Sequence, residues 1–165
     1  MRIKNRMSTN MAKFDRWPRG LGNRAKTFAL GRVVPFLNTA GLVFDEVSCE
    51  RVSVRVENRR KVQNHIKGVH ATAMALLAET ATGFVVGMNT PDDKLMLLKS
   101  MTIHYTKRSV GAMSAVATLS DEMAKRLQNE EKGDFVVPCL VTDESGEAPI
   151  EALMCWAWVP KKRPE

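Results

Sequence analysis

The segment that most constrains this chain is 70–87. Ala, Met, Leu, Val, Phe and Gly fill most of it, and beyond the opening His70 its only ionisable side chain is Glu79. A helix that is apolar on nearly every face must be enclosed on nearly every side. About 17 residues at 1.5 Å each make a rod of roughly 26 Å, long enough to lie across several strands. Lipid is a poor enclosure for it, because Glu79 and the threonines and glycines near its middle are costly in a bilayer. The expectation is a buried helix at the centre of a water-soluble domain.

The remaining pattern is mostly strand. Residues 42–47 and 52–56 come first, the second reading Val-Ser-Val-Arg-Val with the period-2 alternation of a half-buried strand. They are expected to pair antiparallel. Beyond the turn at Pro91-Asp92-Asp93, residues 97–105, 112–119, 135–143 and 149–159 each read as strands, and Ser145-Gly146-Glu147 closes the last hairpin. Residues 121–130 add a turn or two of helix, with Met123, Ala124 and Leu127 on one face. Helix and strands that segregate in this way indicate α+β architecture: a central helix wrapped by a curved antiparallel sheet of about six strands. At 165 residues the chain suits one domain, 35–160, preceded by an arm, 1–34, and followed by a short basic tail, 161–165.

The net charge of +7 belongs to the arm. Residues 1–32 carry nine Lys and Arg against Asp15 alone, whereas the rest of the chain is almost balanced. Such an arm can meet the phosphates of a cofactor, acidic lipid or nucleic acid, but its plainest reading is a solvated leader with a short helix at 23–34 that ends before Pro35. Nucleic acid is the weakest of these partners, because aromatic residues are few, with one Tyr and three Trp, and Trp156 and Trp158 stand apart from basic residues. Met7 and Met11 are further possible translation starts. Cys49, Cys139 and Cys155 are odd in number and far apart, which argues against a disulfide scaffold and for a reducing cytoplasm. No Cys/His spacing suggests a metal.

Chemistry concentrates around the long helix. Glu79 has apolar neighbours a turn before and a turn after it, so its carboxylate must be paired, exposed or functional. Desolvation raises the pKa of such a group and suits it to act as a general base. Ahead of the helix, Asn64-His65-Ile66-Lys67-Gly68-Val69-His70 leads polar groups to a helix N-terminus, whose free N–H groups can bind an oxyanion. From His70 to Glu79 is 2.5 turns, so one chain cannot bring both to the same reacting atom. A site that uses both requires a second copy across a two-fold axis.

Asn64, then His70, then Glu79, opening and lining one helix between strand pairs, resemble the hotdog-fold acyl-CoA thioesterases, in particular their phenylacetate-pathway-like branch. The likeness covers about residues 35–159. It implies a homodimer or dimer of dimers with composite sites, an acyl-CoA or acyl-carrier thioester as substrate, and no cofactor beyond the coenzyme A carried by the substrate. Position by position, Glu79 takes the place of the catalytic carboxylate, Asn64 that of the residue orienting water or the thioester carbonyl, and His70 that of the histidine opening the helix. Ala71 supplies the oxyanion N–H. The family's usual Gly-Gly after the histidine is Ala71-Thr72 here. Gly68, Thr80, Lys99 and Ser100 are expected near the substrate, and Arg59, Arg60 and Lys61, or Lys107 and Arg108, near its phosphates. Met74, Leu77, Met96, Leu97 and Met101 suit an acyl tunnel. The alternatives are a non-catalytic hotdog protein that binds an acyl or small hydrophobic ligand and, behind it, a hydratase using His70 with Glu79.

Overall fold

The central helix is the expected one. In the computed structural model, which describes Arg2 and residues 4–161, α4 runs Ala71–Gly87, and residues 80–87 are buried without a break. All but Lys161 of the expected tail lies outside the described residues. Two more helices lie ahead of the first strand pair than the sequence suggested: α1, Arg6–Ala12, and α3, Pro35–Ala40, flank α2, Arg19–Val33. Pro35 ends one helix and opens the next, at the first-turn position where its missing N–H costs nothing. Gly41, at φ 73°, closes α3 in the left-handed conformation that a residue with a Cβ resists.

Among the described residues seven strands surround α4. Strands β1, Leu42–Val47, β2, Arg51–Val56, β4, Met113–Thr118, and β6, Cys139–Asp143, form one antiparallel sheet in the order β1-β2-β4-β6. Strands β3, Lys94–Tyr105, β7, Ile150–Pro160, and β5, Gly133–Val137, form a second in the order β3-β7-β5. The expected pairing of the first two strands is present, Val54 facing Phe44 and Val56 facing Leu42. Residues 135–143, however, are not one strand. Pro138 has no N–H for a ladder, and at this residue the chain leaves one sheet for the other. Helix α5, Asp121–Asn129, is capped by Ser120 and joins β4 to β5.

The core lies between α4 and the inner faces of both sheets. Val52, Val54 and Val56 from β2 meet Leu77, Ala78, Ala81 and Val85 from α4, all at most 1% exposed. Each large aliphatic side chain enclosed in this way contributes about 1.5–3 kcal/mol. Trp156 packs against Gly83, where a Cβ would come within 2.8 Å of the ring, and its indole N–H donates to Thr82 Oγ1 at 2.9 Å. The carbonyls at the end of α4 are also satisfied: Asn89 donates to Val85, Thr90 to Val86, and Asn5 to Gly87.

The basic arm is docked rather than solvated. Arg2 donates to the carbonyls of Cys49 and Leu119 and to Asn89 Oδ1. Asn5, buried, caps α1 and reaches the carbonyls of Gly87 at 2.6 Å and Thr90 at 2.7 Å. Lys26 turns inward, bonding Asp15 at 2.6 Å and the carbonyl of Val47 at 3.2 Å. Charge patterning suggested a leader because charge runs usually face water. Here a few polar side chains find buried carbonyl partners and draw the arm onto the body.

Candidate active site

The loop entering α4 is built on Asn64. Its Oδ1 accepts the backbone N–H groups of Ile66 at 3.1 Å and Gly68 at 3.0 Å, while Lys67 sits at φ 62°, a left-handed conformation in a non-glycine residue. The Asn64 oxygen is thereby committed to the loop. Its Nδ2 makes no hydrogen bond among the described residues and remains as a donor. His70 is the N-cap, its Nδ1 accepting from the Thr72 N–H at 3.2 Å. The N–H of Ala71, first in the helix, has no acceptor among the described residues.

Asn64, Gly68, Ala71 and Tyr105 line one cleft of about 530 Å³, and Lys67, Lys107 and Arg108 stand around it. Lys67 was not anticipated. Its left-handed backbone turns the loop, and no composition or periodicity signal distinguishes that lysine from its basic neighbours. His70 and Lys61 lie instead in a separate hollow with Phe36, Thr72 and Leu76. Arg59 and Arg60 are exposed beyond the end of β2 and line none of these hollows. Ser100 pairs with Cys155, whose neighbours Met154 and Trp156 turn into the core, so Ser100 faces away from α4. Lys99 is exposed at the bulge beside it, bonded to Asp134 at 2.7 Å.

Glu79 opens into a different cavity. It shares about 250 Å³ with Thr80, Gly83 and Phe84 of α4, Met96 of β3 and Trp156 of β7. Met7, Val33 and Val34 of the arm and Leu37 of α3 form the roof, a contribution no local pattern indicates because those residues are at least 42 positions from Glu79. Burial pushes the Glu79 carboxyl up, and the Thr80 hydroxyl beside it pulls the other way. Glu79 has no ion-pair partner among the described residues. Thr80 is 2% exposed, and its Oγ1 has no hydrogen-bond partner among the described residues. A buried hydroxyl in that condition is a ready site for water or a polar ligand atom.

The two halves do not meet within one chain. Glu79 and Ala71 are eight residues apart on α4, about 12 Å along its axis, and their cavities share no lining residue. Among the described residues no three His, Cys, Asp or Glu side chains gather as metal ligands, and no helix is long and apolar enough to cross a membrane.

A family described as a domain of unknown function (DUF4442) matches residues 22–159. No curated protein matches the chain. Solved structures do. A Pseudomonas aeruginosa protein of unknown function, described as a probable thioesterase, superposes with a TM-score of 0.76 at 21% identity, over 84% of this chain and 95% of its own. The protein BH2602 from Bacillus halodurans, crystallised with CoA, gives 0.64 at 21% identity over 86% and 92%. A Haemophilus influenzae thioesterase gives 0.63 at 10% identity over 87% and 92%. Identities this low carry the fold, and the helix within its curved antiparallel strands is the hotdog fold.

Proposed function

The chain belongs to the DUF4442 family of domains, and from its fold and the geometry around α4 we propose that it is an acyl-CoA thioesterase whose active site is completed by a second copy. The observation that carries this reading is Glu79, a carboxylate with no ion-pair partner among the described residues, in an apolar cavity on the helix whose N-terminus opens into a cleft ringed by Lys67, Lys107 and Arg108. Two solved structures of like fold support the same reading, one named as a thioesterase and another, BH2602, crystallised with CoA.

In this reading two chains associate along β3. That strand is an edge of its sheet, 12 residues long, and an uncovered edge of that length invites pairing. Met101 and Tyr105 pair with the buried Met154 and Ile150 and so point to the helix side of the sheet, yet they are 48% and 51% exposed. A partner would cover them and bring its Glu79 towards Asn64 and Ala71 of the first chain. Glu79 then takes a proton from water, and the hydroxide adds to the thioester carbon. The Ala71 N–H and Asn64 Nδ2 hold the charge on oxygen while the C–S bond breaks. The thiolate leaves and takes the proton held by Glu79, which restores the carboxylate and gives free thiol, and the acyl group departs as the carboxylic acid. Thr80 holds the attacking water, and the acyl group occupies the apolar cavity under the arm. The phosphates of coenzyme A, or of a carrier-bound pantetheine, meet the basic rim. A cytoplasmic setting suits this substrate and the three free cysteines.

A ligand-binding protein without turnover is the second reading, favoured by Ala71-Thr72 where the resembling enzymes carry Gly-Gly. Release of free thiol from short, medium, long and aromatic acyl-CoAs, followed for the unaltered protein, Glu79→Ala and Asn64→Ala, separates the two. Turnover abolished by Glu79→Ala supports hydrolysis. Protection from heat by acyl-CoA with no turnover supports binding alone.

A further inference from the structure

Helix α2 is built inside out relative to an ordinary surface helix. Its inner stripe, towards β1, is Gly22, Lys26 and Leu30, with the lysine buried and bonded to Asp15. The opposite stripe, at helical spacing, is Leu21, Arg24, Phe28 and Arg32, all exposed. Phe28 is 66% and Leu21 55% exposed, Trp17 just ahead of the helix is 53% exposed, and the Arg32 guanidinium lies 5.9 Å from the Phe28 ring. The face therefore offers large apolar groups and guanidinium groups side by side. Asp15, the only acid in the first 32 residues, is already bonded to Lys26, so nothing on the arm offsets that positive field.

From this arrangement we propose that α2 docks the protein on an anionic phospholipid surface. A lipid interface accepts both kinds of group at once: aromatic and aliphatic side chains enter the headgroup and acyl boundary while arginines reach the phosphates. A second copy is a poor match, because residues 33–165 carry sixteen bases against seventeen acids and offer no concentrated negative charge. The end of α2 also leads inward. Val33 and Val34 roof the cavity that holds Glu79, so a surface bound along α2 lies next to the entrance for an acyl chain. Docking rests on the arm's own charge and exposed groups and holds whether or not the cavity is catalytic.

The test is co-sedimentation of the full chain with extruded vesicles of phosphatidylcholine alone and of phosphatidylcholine with 30% phosphatidylglycerol, with mass and melting temperature measured in parallel. The expected result is binding to the anionic vesicles only, weakened by salt. Arg24→Gln with Arg32→Gln should partition about 30-fold more weakly, as expected for two cations lost from an anionic bilayer surface. Leu21→Ser with Phe28→Ser should lose binding as well, with unchanged mass and melting temperature. No binding to anionic vesicles overturns the proposal. So does a fall in oligomeric mass in the serine variant, which would make this face a contact between copies. Capture by an acidic acyl carrier protein that these variants abolish, with no binding to vesicles, would assign the face to a protein partner instead.

Discussion

The hydroxyl of Tyr105, at the end of edge strand β3, donates to the carbonyl of Ala71 at 3.0 Å, in the first turn of the central helix. That bond ties the strand through which two copies are proposed to associate to the helix end proposed to bind the oxyanion. The edge and the donor are thus one mechanical unit, and disturbing either is expected to reach the other.

Ala71→Pro tests the donor without disturbing the helix. Ala71 is the first residue of α4, where proline is well tolerated, and His70 is already extended at φ −65° and ψ 144°, as a residue before proline must be. The substitution removes the N–H and places the ring Cδ where its hydrogen was. We expect kcat to fall about 100- to 1000-fold, the usual cost of one oxyanion donor, with the melting temperature unchanged within about 2 °C. Steady-state kinetics beside a thermal melt decide it.

Glu79→Gln is expected to lower turnover by at least about 100-fold while stabilising the fold at neutral pH. Burial raises the Glu79 carboxyl in the folded chain, so between its ordinary value and that raised value the folded protein holds more protons than the unfolded one. Stability therefore falls as pH rises through that window, and the carboxylate remains a burden above it. The glutamine variant should melt higher than the parent at pH 7 and equal to it well below the ordinary carboxylate range. In the parent, kcat/KM should rise with pH, with a midpoint above that range.

Gly83→Ala places a methyl against the Trp156 ring and into the cavity beside Glu79. Overpacking of this kind costs about 1–3 kcal/mol, or roughly 2–4 °C of melting temperature per kcal/mol in a domain of this size. The longest acyl-CoA that is turned over should also become shorter. Substrate-length profiles of the parent and variant check this.

Asn5→Ala leaves the buried carbonyls of Gly87 and Thr90 without their donor and uncaps α1. A loss of about 1–3 kcal/mol is expected. Because Met7 follows on the same helix and roofs the Glu79 cavity, KM for long acyl chains should rise more than kcat falls.

The central helix was legible in the sequence because its apolar content leaves no face for water, and the β1–β2 pair because Val52, Val54 and Val56 alternate. The break at Pro138 was overlooked although its signal was present: a proline inside an apolar run cannot serve an interior ladder. The docking of the arm was not legible, since it depends on Asn5 and Lys26 meeting carbonyls and a carboxylate that only the folded chain brings near. Glu79 stood out as a carboxylate in an apolar helix, whereas Asn64 and Ala71 were marked by the resemblance to hotdog thioesterases. Their separation into two cavities follows from 1.5 Å per residue, whereas the roof of Met7, Val33, Val34 and Leu37 comes from contacts distant in sequence. His70 was assigned with the chemistry, and in the fold it caps the helix from the neighbouring hollow.

Mixing two inactive variants tests the composite site most directly. Glu79→Gln and Ala71→Pro damage opposite halves, so a purified heterodimer carrying one of each has one site with both lesions and one with neither. The account predicts that the two homodimers hydrolyse acyl-CoA negligibly and that the heterodimer recovers about one half of the parental rate. A heterodimer as inactive as its parents would contradict it, because Glu79 and the Ala71 N–H would then have to act within the same chain.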